Sequence, residues 1–126
     1  MARLFWICVG GAAGTAARYF LGGWLLGLLG TSFPWGTLAV NLLGSILVGA
    51  VMHVSLATDL IGPTLRLALT TGFLGGFTTY SAFNYETVRY LRDGAYYLGV
   101  LNFGVMSLAC LLGGFLGVAL AQAWVR

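Results

Sequence analysis

The stretch Thr70-Thr71-Gly72-Phe73-Leu74-Gly75-Gly76-Phe77-Thr78-Thr79-Tyr80-Ser81-Ala82-Phe83-Asn84 is too apolar for a water-facing loop and too polar for a helix that faces lipid. Gly75-Gly76 weakens any helix through its middle, because each Gly costs about 1 kcal/mol relative to Ala in a helix interior. Five hydroxyl residues besides Tyr80 surround that pair: Thr70, Thr71, Thr78, Thr79 and Ser81. Irregular backbone at membrane depth survives only where it is buried in protein or lines a polar cavity. The stretch therefore predicts a broken helix whose freed carbonyl and amide groups face ions, as discontinuous helices of transporters do. The spacing leaves one alternative open, a continuous helix whose small residues pack against a neighbour.

Outward from this segment the chain is almost wholly apolar. Of its 126 residues 60% are hydrophobic and 7% charged, with a mean hydropathy of +0.94. Soluble domains carry about 25% charged residues, so the expected solvent is a bilayer. A hydrocarbon core of ~30 Å takes about 20 residues of helix. Four runs meet that length, at about 4–29, 37–57, 65–90 and 95–124, and the third contains the quoted stretch. Gly30-Thr31-Ser32-Phe33-Pro34-Trp35-Gly36 is a turn cluster with an interfacial Trp, and Thr58-Asp59, Gly62-Pro63 and Arg92-Asp93-Gly94 mark the other connections. The first run is too long, and Arg18 too deep in it, for a cleaved signal peptide. The expectation is an all-α membrane protein of one four-helix domain over residues 1–126, with a broken third helix.

Charge excludes several functions. Six Arg, no Lys and three acidic residues give a net +3, which is too sparse for a nucleic-acid surface. A Walker phosphate loop requires the Lys that is missing. One His and three scattered carboxylates do not form an enzyme site, so no enzyme is expected. Cys8 and Cys110, both inside apolar runs, read as small packing residues. With the N-terminus inside, Arg3, Arg66 and Arg126 fall on the inner side and Arg89 and Arg92 on the outer. Orientation normally follows a clear cytoplasmic excess of Lys and Arg. Three against two is barely an excess, which leaves either a weakly fixed orientation or dual topology with antiparallel pairing. Gly10 with Gly14, Gly23 with Gly27, Gly72 with Gly76, and Gly113 with Gly117 have the small-xxx-small spacing of close helix contacts.

Individual polar residues then stand out. Tyr80 and Phe83 are three apart and share a helix face; their ring edges carry partial positive charge and suit a small anion, although such pairs are commonly packing. Asn41 is an intramembrane amide with two donor hydrogens. Arg18 is the only cation deep in an apolar run, where charges face the bundle interior or a wet cavity unless they snorkel. Glu86 lies one turn beyond Phe83 as a vestibule carboxylate or ion-pair partner, and His53 reads as interfacial.

These blocks, in this order, resemble the fluoride channels called Fluc or CrcB over essentially the whole chain. The resemblance runs through Gly10-Gly11 with Gly14, Arg18-Tyr19, Pro34-Trp35-Gly36-Thr37-Leu38 and Val40-Asn41. Its most specific part is Thr71 to Phe83 followed by Glu86. The resemblance implies a passive fluoride exporter of the bacterial cytoplasmic (inner) membrane, multi-pass, working as an antiparallel dual-topology homodimer with two pores. It implies that Asn41, Tyr80, Phe83 and Ser81, together with Thr79 and Ser107, line the fluoride pathway, and that Arg18 and Glu86 are the vestibule or charge positions. It also implies a structural sodium ion at the dimer interface, held by the backbone carbonyls of Gly75 and Thr78. Tyr80 departs from the pattern, which has Phe there. The competing class is a small multidrug-type proton-coupled exporter, also of four helices. That chemistry needs a carboxylate in the first span, where this chain carries Arg18 and no acid.

Overall fold

The computed structural model describes residues Met1–Arg126 and is entirely helical. Helix α1 (Ala2–Leu29) ends where Gly30 takes a positive φ of 73°, a conformation that a Cβ disfavours. Helix α2 (Trp35–Ala57) follows Pro34 and closes at Thr58. Helix α3 starts with Pro63 in its first turn, where the missing N–H costs nothing. It is α-helical over Pro63–Leu67, widens to π-helical turns over Ala68–Leu74, and finishes with Gly75–Phe77. Thr78 and Thr79 are extended, and α4 (Tyr80–Arg92) resumes with Thr79 as its N-cap, the side-chain oxygen accepting from Ala82 N–H. Gly94, at φ 75°, turns the chain into α5 (Tyr96–Val125).

Helices α1, α2 and α5 are long and apolar enough to cross a membrane. Their 28, 23 and 30 residues correspond to about 42, 35 and 45 Å at 1.5 Å per residue. Each exceeds the ~30 Å hydrocarbon core, which allows tilt or protrusion. Only 16 of 126 residues are buried, and Leu4, Phe20, Trp24, Leu108, Leu112 and Phe115 all point outward. An apolar exterior this continuous is what lipid, not water, solvates.

Glycines set how closely the helices approach. A Cβ on Gly14 would overlap the Phe73 carbonyl, and one on Gly117 would overlap the Ile46 carbonyl. The first contact seats α1 on α3 and the second seats α2 on α5. Residues 42 and 46 meet 113, and 46 and 50 meet 117, so α2 and α5 run in the same direction. Three of the four small-xxx-small pairs thus pack within the chain. A Cβ on Gly23 or Gly27 would meet nothing within 4 Å, because both face away from the side of α1 where Gly22 lies against Gly36 of α2.

The point of departure from helix differs from the expectation. The backbone stays helical through Gly75-Gly76 and leaves the helix at Thr78-Thr79. Thr78 Oγ1 donates to Leu74 O at 2.9 Å and Thr78 N–H donates to the same carbonyl, which ends the turn. The β-branched threonines accept the extended conformation readily, and Gly76 is needed for another reason: a Cβ there would meet the Gly11 carbonyl of α1.

Candidate functional site

A cavity of about 430 Å³ opens beside the extended threonines. Asn41, Gly75, Thr78, Tyr80, Phe83 and Ser107 line it, so six of the residues singled out in the sequence converge on one space. Helix α2 supplies the amide, α3 and α4 supply the backbone and rings, and α5 supplies the hydroxyl.

At its centre Asn41 grips the extended backbone at two points. Its Oδ1 accepts from Thr79 N–H at 2.7 Å, and its Nδ2 donates to Thr79 O at 3.0 Å. A side-chain amide is therefore paired with a main-chain amide as a neighbouring strand would be. In a continuous helix Thr79 N–H would point at the Gly75 carbonyl; here it is turned to α2. The second Nδ2 hydrogen goes to Met106 Sδ at 3.6 Å, a weak acceptor. Asn41 and Thr79 are both buried, so these bonds prevent an unpaired amide that would cost about 1–3 kcal/mol.

The two rings diverge in environment. Tyr80 and Phe83 are edge-to-face, with centroids 5.5 Å apart and planes at 71°. Phe83 is 5% exposed and Tyr80 75% exposed, so one is wedged into the bundle and the other stands on the open rim. Phe83 also stacks on Phe103 of α5 at 6.1 Å. Ser81 is exposed and lies 3.3 Å from Thr79 Oγ1, hydroxyl to hydroxyl. Arg18 neither leaves the bundle nor finds a carboxylate: its Nη1 donates to Thr78 O at 3.5 Å.

Glu86 lies at one end of this array. Its Oε1 accepts from Thr37 Oγ1 at 2.6 Å, while Oε2 is buried without a hydrogen-bond partner. Asn102 was not singled out in the sequence, yet it is completely buried. Its Nδ2 donates to Thr87 Oγ1 at 3.0 Å and its Oδ1 has no partner. Thr37, Asn41 and Ser45 are successive turns of α2, and Asn102, Met106 and Cys110 are successive turns of α5. Two facing columns of polar and sulfur-bearing residues therefore run beside the cavity. Nothing in the sequence singles out the second column, because α5 is apolar nearly all round. No group of three or more His, Cys, Asp or Glu side chains is placed to hold a metal ion.

The profile of the family described as "CrcB-like protein, Camphor Resistance (CrcB)" matches residues 5–118. A protein of Sorangium cellulosum named "Fluoride-specific ion channel FluC" is 50% identical over 122 residues, covering 97% of this chain and 96% of its own. A namesake from Pelobacter propionicus is 50% identical over 115 residues, 91% of this chain and 89% of its own. The Geobacter sulfurreducens protein of the same name is 47% identical over 122 residues, 97% and 98% of the two chains.

Proposed function

The chain belongs to the CrcB-like family, and from that membership we propose that it is a passive, fluoride-selective channel exporting fluoride from the bacterial cytoplasm across the inner membrane. These relatives are named as ion channels, not enzymes. The single observation that carries the reading is the Asn41 grip on extended backbone beside a cavity rimmed by aromatic rings.

Fluoride is small and holds its water tightly, so a pathway must replace that water with close donors. Asn41 Nδ2 has one hydrogen committed to Thr79 O and one resting on a thioether. Fluoride is a far stronger acceptor than sulfur and takes the second hydrogen without disturbing the first. Ser107 offers a hydroxyl in the cavity; Ser81 and Thr79 lie outside its lining and share a hydroxyl contact next to it. The Phe83 edge presents partial positive charge to an anion, and Phe103 behind it fixes the ring. Arg18 lends positive potential near Thr78, and Glu86 with Thr37 forms the polar end of the route.

The remaining parts of the proposal concern assembly. Helices α3 and α4 together make one crossing, broken at Thr78-Thr79, which gives four spans. Two copies pair antiparallel in dual topology, with one pathway on each side of their junction. The near balance of Arg residues and the polar groups left uncovered on α4 and α5 support that pairing. A structural sodium ion fits the donor set: Gly75 O is released from its usual helical donor, and Gly75 and Thr78 both line the cavity. Their carbonyls would hold it at the dimer junction, where it supplies a fixed positive potential for anion entry. A carbonyl has two lone pairs, so the Arg18 contact leaves Thr78 O one to offer. The multidrug-exporter alternative lacks its central requirement, since α1 contains no carboxylate.

Fluoride efflux from liposomes containing the purified protein tests the proposal. Rapid fluoride release with chloride retained is the expected result. Chloride release at a comparable rate, or no release of either ion, would overturn it.

A further inference from the structure

We propose that Cys110 and Met106 form a site for a soft monovalent metal ion, copper(I) or silver(I), inside the cavity. The two residues lie one turn apart on α5, with Cys110 Sγ 3.9 Å from Met106 Sδ. Both line the cavity. Two sulfurs on one wall are a donor set of one kind: thiolate and thioether select soft ions, whereas oxygen donors such as Ser45 and Ser107 suit hard ones.

Geometry agrees with the chemistry. Two metal–sulfur bonds of about 2.3 Å, the length of zinc–thiolate bonds, would span 3.9 Å at a sulfur–metal–sulfur angle of about 115°, and the longer bonds of the larger silver ion narrow that angle. That angle is close to trigonal and leaves a third position facing the cavity. Divalent zinc asks for four donors of N, S or carboxylate type, and no His or carboxylate cluster is present to complete them. Met106 is unbranched and adjusts its sulfur at small cost.

Charge balance favours the monovalent ion as well. The Cys110 thiol gives up its proton to cavity water as its sulfur bonds the metal, since the ligand is the thiolate. The product is a neutral thiolate–metal unit, which avoids the cost of an unpaired charge in an apolar setting. An ion there shares the cavity with Asn41 and Phe83 and obstructs anything that passes them. That obstruction rests on the channel reading; the site itself does not.

Silver nitrate titrated calorimetrically into the purified, chloride-free protein tests the site. Cys8 is an exposed thiol on α1, so Cys8→Ser is the background. One silver ion per chain is expected, abolished by adding Cys110→Ser and weakened at least tenfold by adding Met106→Leu. Silver binding that survives Cys110→Ser, or that is indifferent to Met106→Leu, overturns the site. Silver fluoride is soluble, so the same ion can be added to the efflux assay. Silver should stop efflux from the Cys8→Ser protein and dithiothreitol should restore it. Stoichiometric binding with unaltered efflux overturns the obstruction, whereas absence of efflux before silver is added speaks against the channel reading alone.

Discussion

Asn41→Asp changes one atom at the point where α2 holds the extended threonines. The surviving oxygen can still accept from Thr79 N–H, as Oδ1 does at 2.7 Å. The exchanged atom faces Thr79 O, which Nδ2 reaches at 3.0 Å. When the introduced carboxyl is ionised, two acceptors confront each other: Thr79 O keeps the first-turn amide of α4 that an N-cap carbonyl accepts, but the carboxylate oxygen facing it has no donor. A buried acceptor left without a donor costs about 1–3 kcal/mol, or about 5- to 150-fold in the population of the intact arrangement at 1.4 kcal/mol per tenfold. The negative charge also repels fluoride at close range, where screening is poor. Efflux at about pH 9, far above the ordinary carboxyl range, should fall at least tenfold while the protein remains monodisperse. Protonation restores a donor to the same atom, so efflux at about pH 5 should recover toward that of the parent. Protein-free liposomes at each pH correct for hydrogen fluoride crossing the lipid. Parental efflux at the alkaline pH would refute the grip and its place on the route together. Equal loss at both pH values would refute the argument that the lost donor is the cause.

Phe83→Ile retains bulk but loses the ring edge, so fluoride efflux should be blocked with little loss of thermal stability; robust efflux would remove the edge from the mechanism. Tyr80→Phe deletes one hydroxyl from a ring 75% exposed on the rim, so efflux in the same assay should persist or rise. Gly117→Val drives a side chain into the Ile46 carbonyl and should destabilise the α2–α5 contact by about 1–3 kcal/mol, read as a lower unfolding temperature in detergent. Gly23→Val, at a position with nothing near it, should stay within about 0.5 kcal/mol. Single cysteines at the two termini, placed in a chain lacking Cys8 and Cys110, should each label from both sides of the membrane if copies insert in both directions. Labelling from one side only defeats dual topology.

The helices were legible because apolar run length and Gly/Pro punctuation are local signals. Trp35, Gly62-Pro63 and Arg92-Asp93-Gly94 fall within a few residues of the observed ends. Where the third run departs from helix was less legible. Propensity points to Gly75-Gly76, yet both stay in helix, Gly76 where α1 approaches it, and the extended residues are Thr78 and Thr79, the second captured by Asn41. That capture joins residues 38 positions apart, which no local pattern encodes. Tyr80 and Phe83 share a face by spacing, but residues three apart sit about 60° from alignment on a helix, enough to bury one and leave the other on the rim. Asn102 and Phe103 were missed for a related reason. Helix α5 is apolar nearly all round, so its sequence does not declare which side meets α4; only the register against α2 does.

That same register supports pairing of two copies. Ser81 and Asn84 of α4 and Ser107 of α5 are exposed, and Tyr80 beside them presents a hydroxyl-bearing ring. A polar group without partners in hydrocarbon costs several kcal/mol, about 4–8 for an amide or hydroxyl measured against cyclohexane. One chain alone in a bilayer would meet that cost at Asn84 and Ser107, less so at Ser81 with its contact to Thr79 Oγ1, and the cavity at Asn41 would open to lipid. Water cannot relieve the cost at membrane depth unless protein encloses it. In the proposed dimer a second copy laid over this face would do both things at once, covering these polar groups and converting the open side of the cavity into a wall. The residues that destabilise the lone chain in lipid are thus the ones that the proposed dimeric pathway would use.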